Sequence, residues 1–378
     1  MKIDFKSIKT PTYIYDLGLL RKTLELVKTE SEAYGYHIHY ALKANNESRI
    51  LELISGNGFG ADCVSGNEIR EAIRTGFDAN EIAFAGVGKT DEEINLALDT
   101  EIFSFNCESL PEIEVINELA GKKNKIAPIA LRINPNVDAN THKYITTGLE
   151  ENKFGIDLWD IEMVLNSMDA MKNVRLSGLH FHIGSQITDL DTFKNLCNRI
   201  NQIQQSFYAR QIIVDHINVG GGLGINYHQP DEEPIPDFKS YFKIFHDFLE
   251  LRPKQKLHFE LGRSIVGQMG ALLSKVIFVK KAGVKKFLII DAAMTELIRP
   301  ALYQAYHKIE NLSSNGGSTE KYDVVGPVCE SADIFAKSVT LPESKRGDFI
   351  LIRSAGAYGQ VMSSNYNMRD NAQVVFTE

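Results

Sequence analysis

No stretch of this sequence reaches the ~20 apolar residues that a bilayer-spanning helix needs. The opening MKIDFKSIKTPTYIYD has no apolar block of the kind that marks a secretory leader. Cysteine is scarce: Cys63, Cys107, Cys197 and Cys329 lie far apart, and no CxxC pair suggests zinc or redox exchange. A surplus of positive charge is missing too. The formal net charge of -8 argues against a nucleic-acid partner, because holding a phosphate backbone takes a basic face. Internal repeats and low-complexity tracts are also absent. The expectation is a cytoplasmic enzyme with reduced thiols and neither membrane nor nucleic acid among its partners. At 378 residues the chain is long enough for two domains.

What the sequence does contain is a rhythm. Short apolar runs recur, each followed by a polar stretch with helical spacing: IHYALKA (38–44), FGADCVS (59–65), EIAFAGVG (81–88), IFSFNC (102–107), IAPIALRIN (126–134), RLSGLHFHIGS (175–185), HINVGGG (216–222) and KLHFELGRS (256–264). Strand–helix alternation implies a parallel sheet. Eight such units predict a closed (β/α)8 barrel, a fold of about 250 residues. After residue 265 the runs GALLSKVIFVKKAG, KKFLIIDAAM, KYDVVGPVCESADIFAKSV and GDFILIRSAGAYG follow one another with short turns, which predicts a mostly β second domain. PTYIYDL (11–17) has no slot in the barrel count and is expected to pair into that β domain. The expected division is 1–37 for the N-terminal strand and first helix, 38–265 for the barrel and 266–378 for the β domain.

Barrel enzymes work at the C-terminal ends of their strands. There stand Lys43, Asp62, His180 with His182 and Ser185, the run Gly220-Gly221-Gly222, and Glu260 followed by Gly262 and Arg263. Consecutive glycines let backbone N–H groups approach an anion closely. A lone glycine run is usually only a tight turn, but the loops after strands seven and eight are where barrels build phosphate sites. A lysine at one strand end and a phosphate cradle opposite suggest pyridoxal 5'-phosphate. Lys43 would carry it as a Schiff base, and Glu260 would keep its ring nitrogen protonated. His182 would stack on the ring, or else be an ordinary core histidine.

The sequence resembles the fold-type III pyridoxal-phosphate decarboxylases, which share an alanine racemase-like architecture, and among them those acting on meso-diaminopimelate. The resemblance runs through YALKAN (40–45), GADCVSGNE (60–68), RINPNVDANTHKYITTG (132–148), NKFGI (152–156), GLHFHIGSQ (178–186), GGGLG (220–224), ELGR (260–263), LIRPALYQAYH (297–307), VVGPVCESAD (324–333) and AGAYGQVMSSNYN (355–367). It implies that Ser185, Gly222, Gly262 and Arg263 surround the phosphate, that Asp62 and Glu68 support Lys43, and that Tyr358 lies at cofactor and substrate. It implies that Cys329 is the proton donor, contributed by the other subunit of a homodimer with shared sites. Phe181, Leu261, Ala293 and Ala332 stand where many members have Cys, Pro, Gly and Gly, and none of them removes a group the chemistry uses.

The expected reaction is decarboxylation of meso-2,6-diaminopimelate to L-lysine and CO2, the last step of lysine biosynthesis. That substrate carries a second amino-acid head, which asks for a cation and an acid together. Arg299 with Tyr303, and Glu330 beside Cys329, would supply them. Arg299 and Glu330 could instead be an ordinary ion pair. The alternative on the same fold is a decarboxylase of ornithine, lysine, arginine or a carboxylated polyamine. Other classes are weaker. AFAGVGKT (83–90) with LIID (288–291) imitates a nucleotide-binding loop, but it lacks the first glycine, and Thr90 and Glu93 make a capping box. The pairs HIH (37–39) and HFH (180–182) could hold a metal, yet the first lies at the wrong strand end and the second lacks an acidic third ligand. No metal is expected. A racemase or a non-enzymatic carrier of the cofactor would also fit a barrel, but a carrier does not need a second domain.

Overall fold

A computed structural model describes residues 4–137, 153–314 and 316–378. Most of the RINPNVDANTHKYITTG segment, residues 138–148, lies outside them. The chain forms two compact units: Leu24–Gly224 with Asp237–Gly262, and Met1–Thr23 with Ile225–Pro236 and Arg263–Glu378.

The first of these is the barrel. Strand β1 (Thr12–Asp16) belongs to the other unit; β2 (His37–Ala41), β3 (Gly60–Cys63), β4 (Ile82–Phe84), β5 (Ser104–Cys107), β6 (Ala127–Arg132), β7 (Val174–His180), β8 (His216–Asn218) and β9 (Lys256–Leu261) close into one parallel ring. Sequential neighbours pair throughout, and β2 pairs with β9 to complete it. The predicted (β/α)8 barrel is therefore present. Its strands are shorter than the apolar runs suggested, because the runs, IFSFNC apart, extend into the loop above the strand.

On the outside, aromatic side chains seat the helices. Phe259 of β9 lies 5.0 Å from both Phe242 and Phe245 of the helix Phe238–Phe248, centroid to centroid. The inside is polar where many barrels carry branched aliphatics. At the lower end His39 and His258 share a hydrogen bond of 2.8 Å, and Phe103 stacks on His258 at 4.8 Å. Gly60 and Gly178 make this layer possible. A Cβ on them would meet His39 Nδ1 at 2.6 Å and His216 Nε2 at 2.1 Å.

The other unit is a β sheet. Its strands are β10 (Gly270–Ala282), β11 (Lys285–Ile290), β12 (Ile309–Asn311), β13 (Thr319–Val325), β14 (Ile334–Pro342), β15 (Phe349–Ile352) and β16 (Gln373–Thr377), in the order β12-β15-β10-β11-β13-β14. β1 joins it, antiparallel to β10 and parallel to β16. Its Ile14 packs with Ala271, Leu273, Phe349 and Leu351 in one apolar cluster.

Candidate active site

In the barrel, Lys43 sits just past β2 on the short 3-10 turn Leu42–Ala44 rather than in the strand itself. Its Nζ donates to Asp62 Oδ2 at 2.5 Å. Asp62 is fully buried, and burial followed by the nearby Glu260 charge pushes its carboxyl up, while Lys43 pulls it down. Its other oxygen, Oδ1, is buried with no hydrogen-bond partner among the described residues. Glu68 follows on the helix Gly66–Arg74, which Ser65 caps, and accepts from Val64 N at 2.7 Å.

Glu260 is buried at the upper end of β9. Its Oε1 accepts from Asn106 Nδ2 at 2.9 Å and from Asn218 Nδ2 at 2.8 Å, and its Oε2 lies 2.9 Å from His180 Nε2. Burial alone would raise its pKa. The His180 imidazole and the Lys43 ammonium outweigh burial and hold the carboxyl well below its usual range. Sequence reasoning missed Asn106 and Asn218 altogether and weighed His180 only as a metal ligand, not as a partner of Glu260. The available signal was a polar side chain at the upper end of each of three strands.

His182 lies two residues beyond β7, in the loop that also carries Ser185. Gly221 N donates to its Nδ1 at 3.3 Å. That leaves the proton on Nε2 of a neutral ring, and burial with the Arg132 charge lowers its pKa further from neutrality. The glycine loop follows β8. A Cβ on Gly221 would lie 2.1 Å from Glu260 O, and one on Gly222, whose φ is +109°, would lie 2.8 Å from Gly184 O. Ile187 N donates to Gly222 O at 2.8 Å, so the Ser185 loop and the glycine loop run side by side. Gly262 packs on the lysine turn, where a Cβ would meet Ala44 Cβ at 2.9 Å. Phe154 and Gly155 of NKFGI are held by an ion pair: Arg132 meets Glu108 at 2.6 Å and covers the Phe154 ring, and Glu108 accepts from Gly155 N at 2.8 Å.

The β unit carries a second polar cluster. Arg263 donates to Tyr227 Oη at 2.6 Å and lies 4.8 Å from the centre of the Tyr358 ring. Arg299 opens the short helix Arg299–Tyr303, lies over the Tyr227 ring and donates to His307 Nε2 at 2.7 Å. His307 Nδ1 is 2.8 Å from Arg353 O, so the ring carries its proton on Nδ1 and offers Nε2 as acceptor. Burial and the Arg299 charge lower the His307 pKa to about 3. Arg299 forms no ion pair among the described residues. Glu330, exposed, accepts from Tyr366 Oη at 3.0 Å instead. An ordinary Arg299–Glu330 ion pair is therefore not what the fold builds. Cys329 is exposed on the turn between β13 and β14. Asp333 fixes that turn by accepting from Met294 N at 2.7 Å and Val328 N at 2.8 Å, and Asn367 accepts from Cys329 N at 3.0 Å. Nothing local in the sequence marks Asp333 or Asn367 for this part.

The rival readings dissolve locally. Lys89 is buried and donates to Gly86 O, Asn106 O and Glu112 Oε1, and Thr90 and Glu93 cap the helix Asp91–Thr100. Asp291 of LIID accepts from Ser274 Oγ and Lys275 N. His39, His180 and His182 each have hydrogen-bond partners other than a metal.

Comparison with known proteins agrees with this geometry. The family model described as "Pyridoxal-dependent decarboxylase, pyridoxal binding domain" matches residues 18–267. The chain is thus of the pyridoxal-phosphate-dependent decarboxylase class, and that phosphate is its cofactor. It is 58% identical over 367 residues to the diaminopimelate decarboxylase of Bacteroides thetaiotaomicron, covering 97% of this chain and 95% of that one. The crystal structure of the Helicobacter pylori diaminopimelate decarboxylase, complexed with L-lysine, superposes with a TM-score of 0.92 at 38% identity, over 99% of this chain and 93% of that one. The lysine/ornithine decarboxylase of Vibrio vulnificus shares the fold, with a TM-score of 0.84 at 19% identity over 98% of this chain and 95% of that one. The chain belongs to the diaminopimelate decarboxylase family. The residues present fit the cofactor. The lysine beside a buried, half-partnered aspartate, the glycine loop bare of side chains and the ionised glutamate are the donors and acceptors that its aldehyde, phosphate and ring nitrogen require.

Proposed function

We propose that this chain removes one carboxylate from meso-2,6-diaminopimelate, giving L-lysine and CO2. The observation that carries this reading is Lys43 held at 2.5 Å by buried Asp62, in the barrel where three donors surround Glu260. Bound there, pyridoxal phosphate supplies an electron sink for the pair left when the bond to the carboxylate breaks. Lys43 holds the cofactor, with Asp62 and Glu68 as its supports. Glu260 pairs with the ring nitrogen. The neutral His182 ring would hold the cofactor's ring by stacking, without adding a charge. Ser185, Gly222, Gly262 and Arg263 hold the phosphate.

Arg299 takes the distal carboxylate of the substrate, with Tyr303 and Tyr358 beside it, and Glu330 takes the distal ammonium. Cys329 Sγ gives up the proton that replaces the departed carboxylate. Exposure of Cys329 and Glu330 on a turn pinned by Asp333 and Asn367 supports their use by a second subunit, in a homodimer with shared sites. We place the enzyme in the cytoplasm.

Ornithine, lysine, arginine and carboxylated polyamines lack the distal carboxylate. A buried guanidinium whose hydrogen-bond partner is neutral favours the substrate that has one. The test is product analysis with cofactor and each amino acid in turn. Lysine and CO2 from meso-diaminopimelate alone is the expected result. Turnover of ornithine or arginine instead would keep the class and overturn the substrate. Mixing a Lys43→Ala chain with a Cys329→Ala chain should recover part of the activity; no recovery would rule out shared sites.

A further inference from the structure

Three side chains from three different strands converge on one carboxylate. Asn106 comes from β5, His180 from β7 and Asn218 from β8, and all three reach Glu260 of β9 at 2.8–2.9 Å. All four residues are buried. The arrangement is poor for stability. Having spent its donor on Glu260, Asn106 keeps Oδ1 buried with no partner among the described residues, and His180 keeps Nδ1 in the same state. Buried acceptors left unmade cost stability, and an apolar barrel interior would avoid that cost.

We propose that Asn106, His180 and Asn218 are positioning residues that hold Glu260 as the anion pairing with the cofactor's ring nitrogen. This rests on the role of Glu260 proposed above. Donors aimed at a carboxylate stabilise its charged form over its protonated form. With all three in place, the shared proton stays on the ring nitrogen. Removing a donor raises the proton affinity of Glu260 and moves that proton from the nitrogen to the carboxylate. Asn218 has a second duty, since its Oδ1 accepts from Gly220 N at 2.9 Å and so fixes the glycine loop. Asn106 and His180 are therefore the cleaner positions to change.

The experiment uses holoenzyme loaded with cofactor labelled with 15N in the ring, and reads the 15N chemical shift. Thermal melting of the cofactor-free protein is measured alongside. Glu260→Gln sets the end point of an unprotonated nitrogen. Asn106→Leu and His180→Phe should each shift the signal part of the way toward that end point. Each should lower kcat roughly tenfold, about what one charge-assisted hydrogen bond is worth, with KM within twofold. Melting of the cofactor-free variants should stay level or rise, because a buried orphan acceptor goes with each donor. His180→Asn, which keeps a donor, should recover most of the native shift. If Glu260→Gln leaves the shift at its native value, the role of Glu260 itself falls. If Glu260→Gln moves the signal and the donor variants do not, Glu260 stands and the positioning role is overturned. A large drop in melting temperature without a change in shift would make the three residues structural and would equally overturn it.

Discussion

Two lysines leave strands of the same barrel, and their surroundings differ in one respect that decides their chemistry. Lys89, beyond β4, is buried and spends all three of its N–H donors on Gly86 O, Asn106 O and Glu112 Oε1. Lys43, beyond β2, is partly open to solvent and its ammonium sits against Asp62, a carboxylate with one oxygen still bare. A buried ammonium held by three acceptors is fixed in place. A lysine at an open mouth can lose its proton and react. A similar motif context therefore yields a structural post in one loop and a reactive group in the other.

The comparison breaks first at Lys43. Lys43→Ala should lower kcat by roughly a thousandfold or more while the melting temperature of the cofactor-free protein hardly changes. A steady-state assay with a calorimetric scan checks both. Lys89→Met should do the reverse. It strands buried Glu112 without its cation, at about 3–5 kcal/mol of stability, read from urea unfolding, and the folded fraction should keep its activity. Should Lys89→Met abolish turnover in fully folded protein, the division between the two lysines fails.

Arg299 extends the comparison to a third cation, one whose hydrogen-bond partner is a neutral histidine. Arg299→Ala should raise KM for meso-diaminopimelate about tenfold to a hundredfold, the worth of a bidentate charged hydrogen bond. The lower end of the barrel shows the opposite strategy, rings that stay uncharged. Burial depresses the pKa of His39 to about 4 and that of His216 to about 3. The unfolded chain, with histidines near 6.5, therefore takes up protons first as the pH falls. Their stabilising contribution is complete above 6.5 and is lost progressively toward about 4 and about 3. His216→Phe should flatten the fall of melting temperature between pH 6.5 and 4; an unchanged slope would refute the assignment. The smallest effect belongs to Thr90→Ala, which removes one half of the capping box beside Lys89. It should cost about 1 kcal/mol in urea unfolding and leave activity intact.

Much of this was legible because the signals are local. Strand–helix alternation gave the eight barrel strands, and Thr90 with Glu93 marked the start of the helix Asp91–Thr100. Lys43 and the glycine loop stood out by their position after strands. The Glu260 donors did not, because their partnership is not local: Asn106 and Glu260 are 154 residues apart, and only closure of the barrel brings them together. A polar residue near the end of a four-residue strand reads as the approach to a loop until the opposite wall is known. Asp333 was hidden for another reason. It acts through backbone N–H groups of Met294 and Val328, and such groups leave no trace in residue identity.

The strand Thr12–Asp16 has a consequence for synthesis. Among the described residues its sheet neighbours are β10 and β16, and the nearer of them, β10, begins about 250 positions further along the chain. At roughly 5–20 residues per second, a ribosome takes tens of seconds to cover that distance. Throughout that time Tyr13, Ile14 and Tyr15, all fully buried in the finished protein, belong to a strand with both edges unpaired. Each barrel strand finds its first neighbour in the strand made next to it, whereas this one stays unpaired on both edges until the second unit is synthesised.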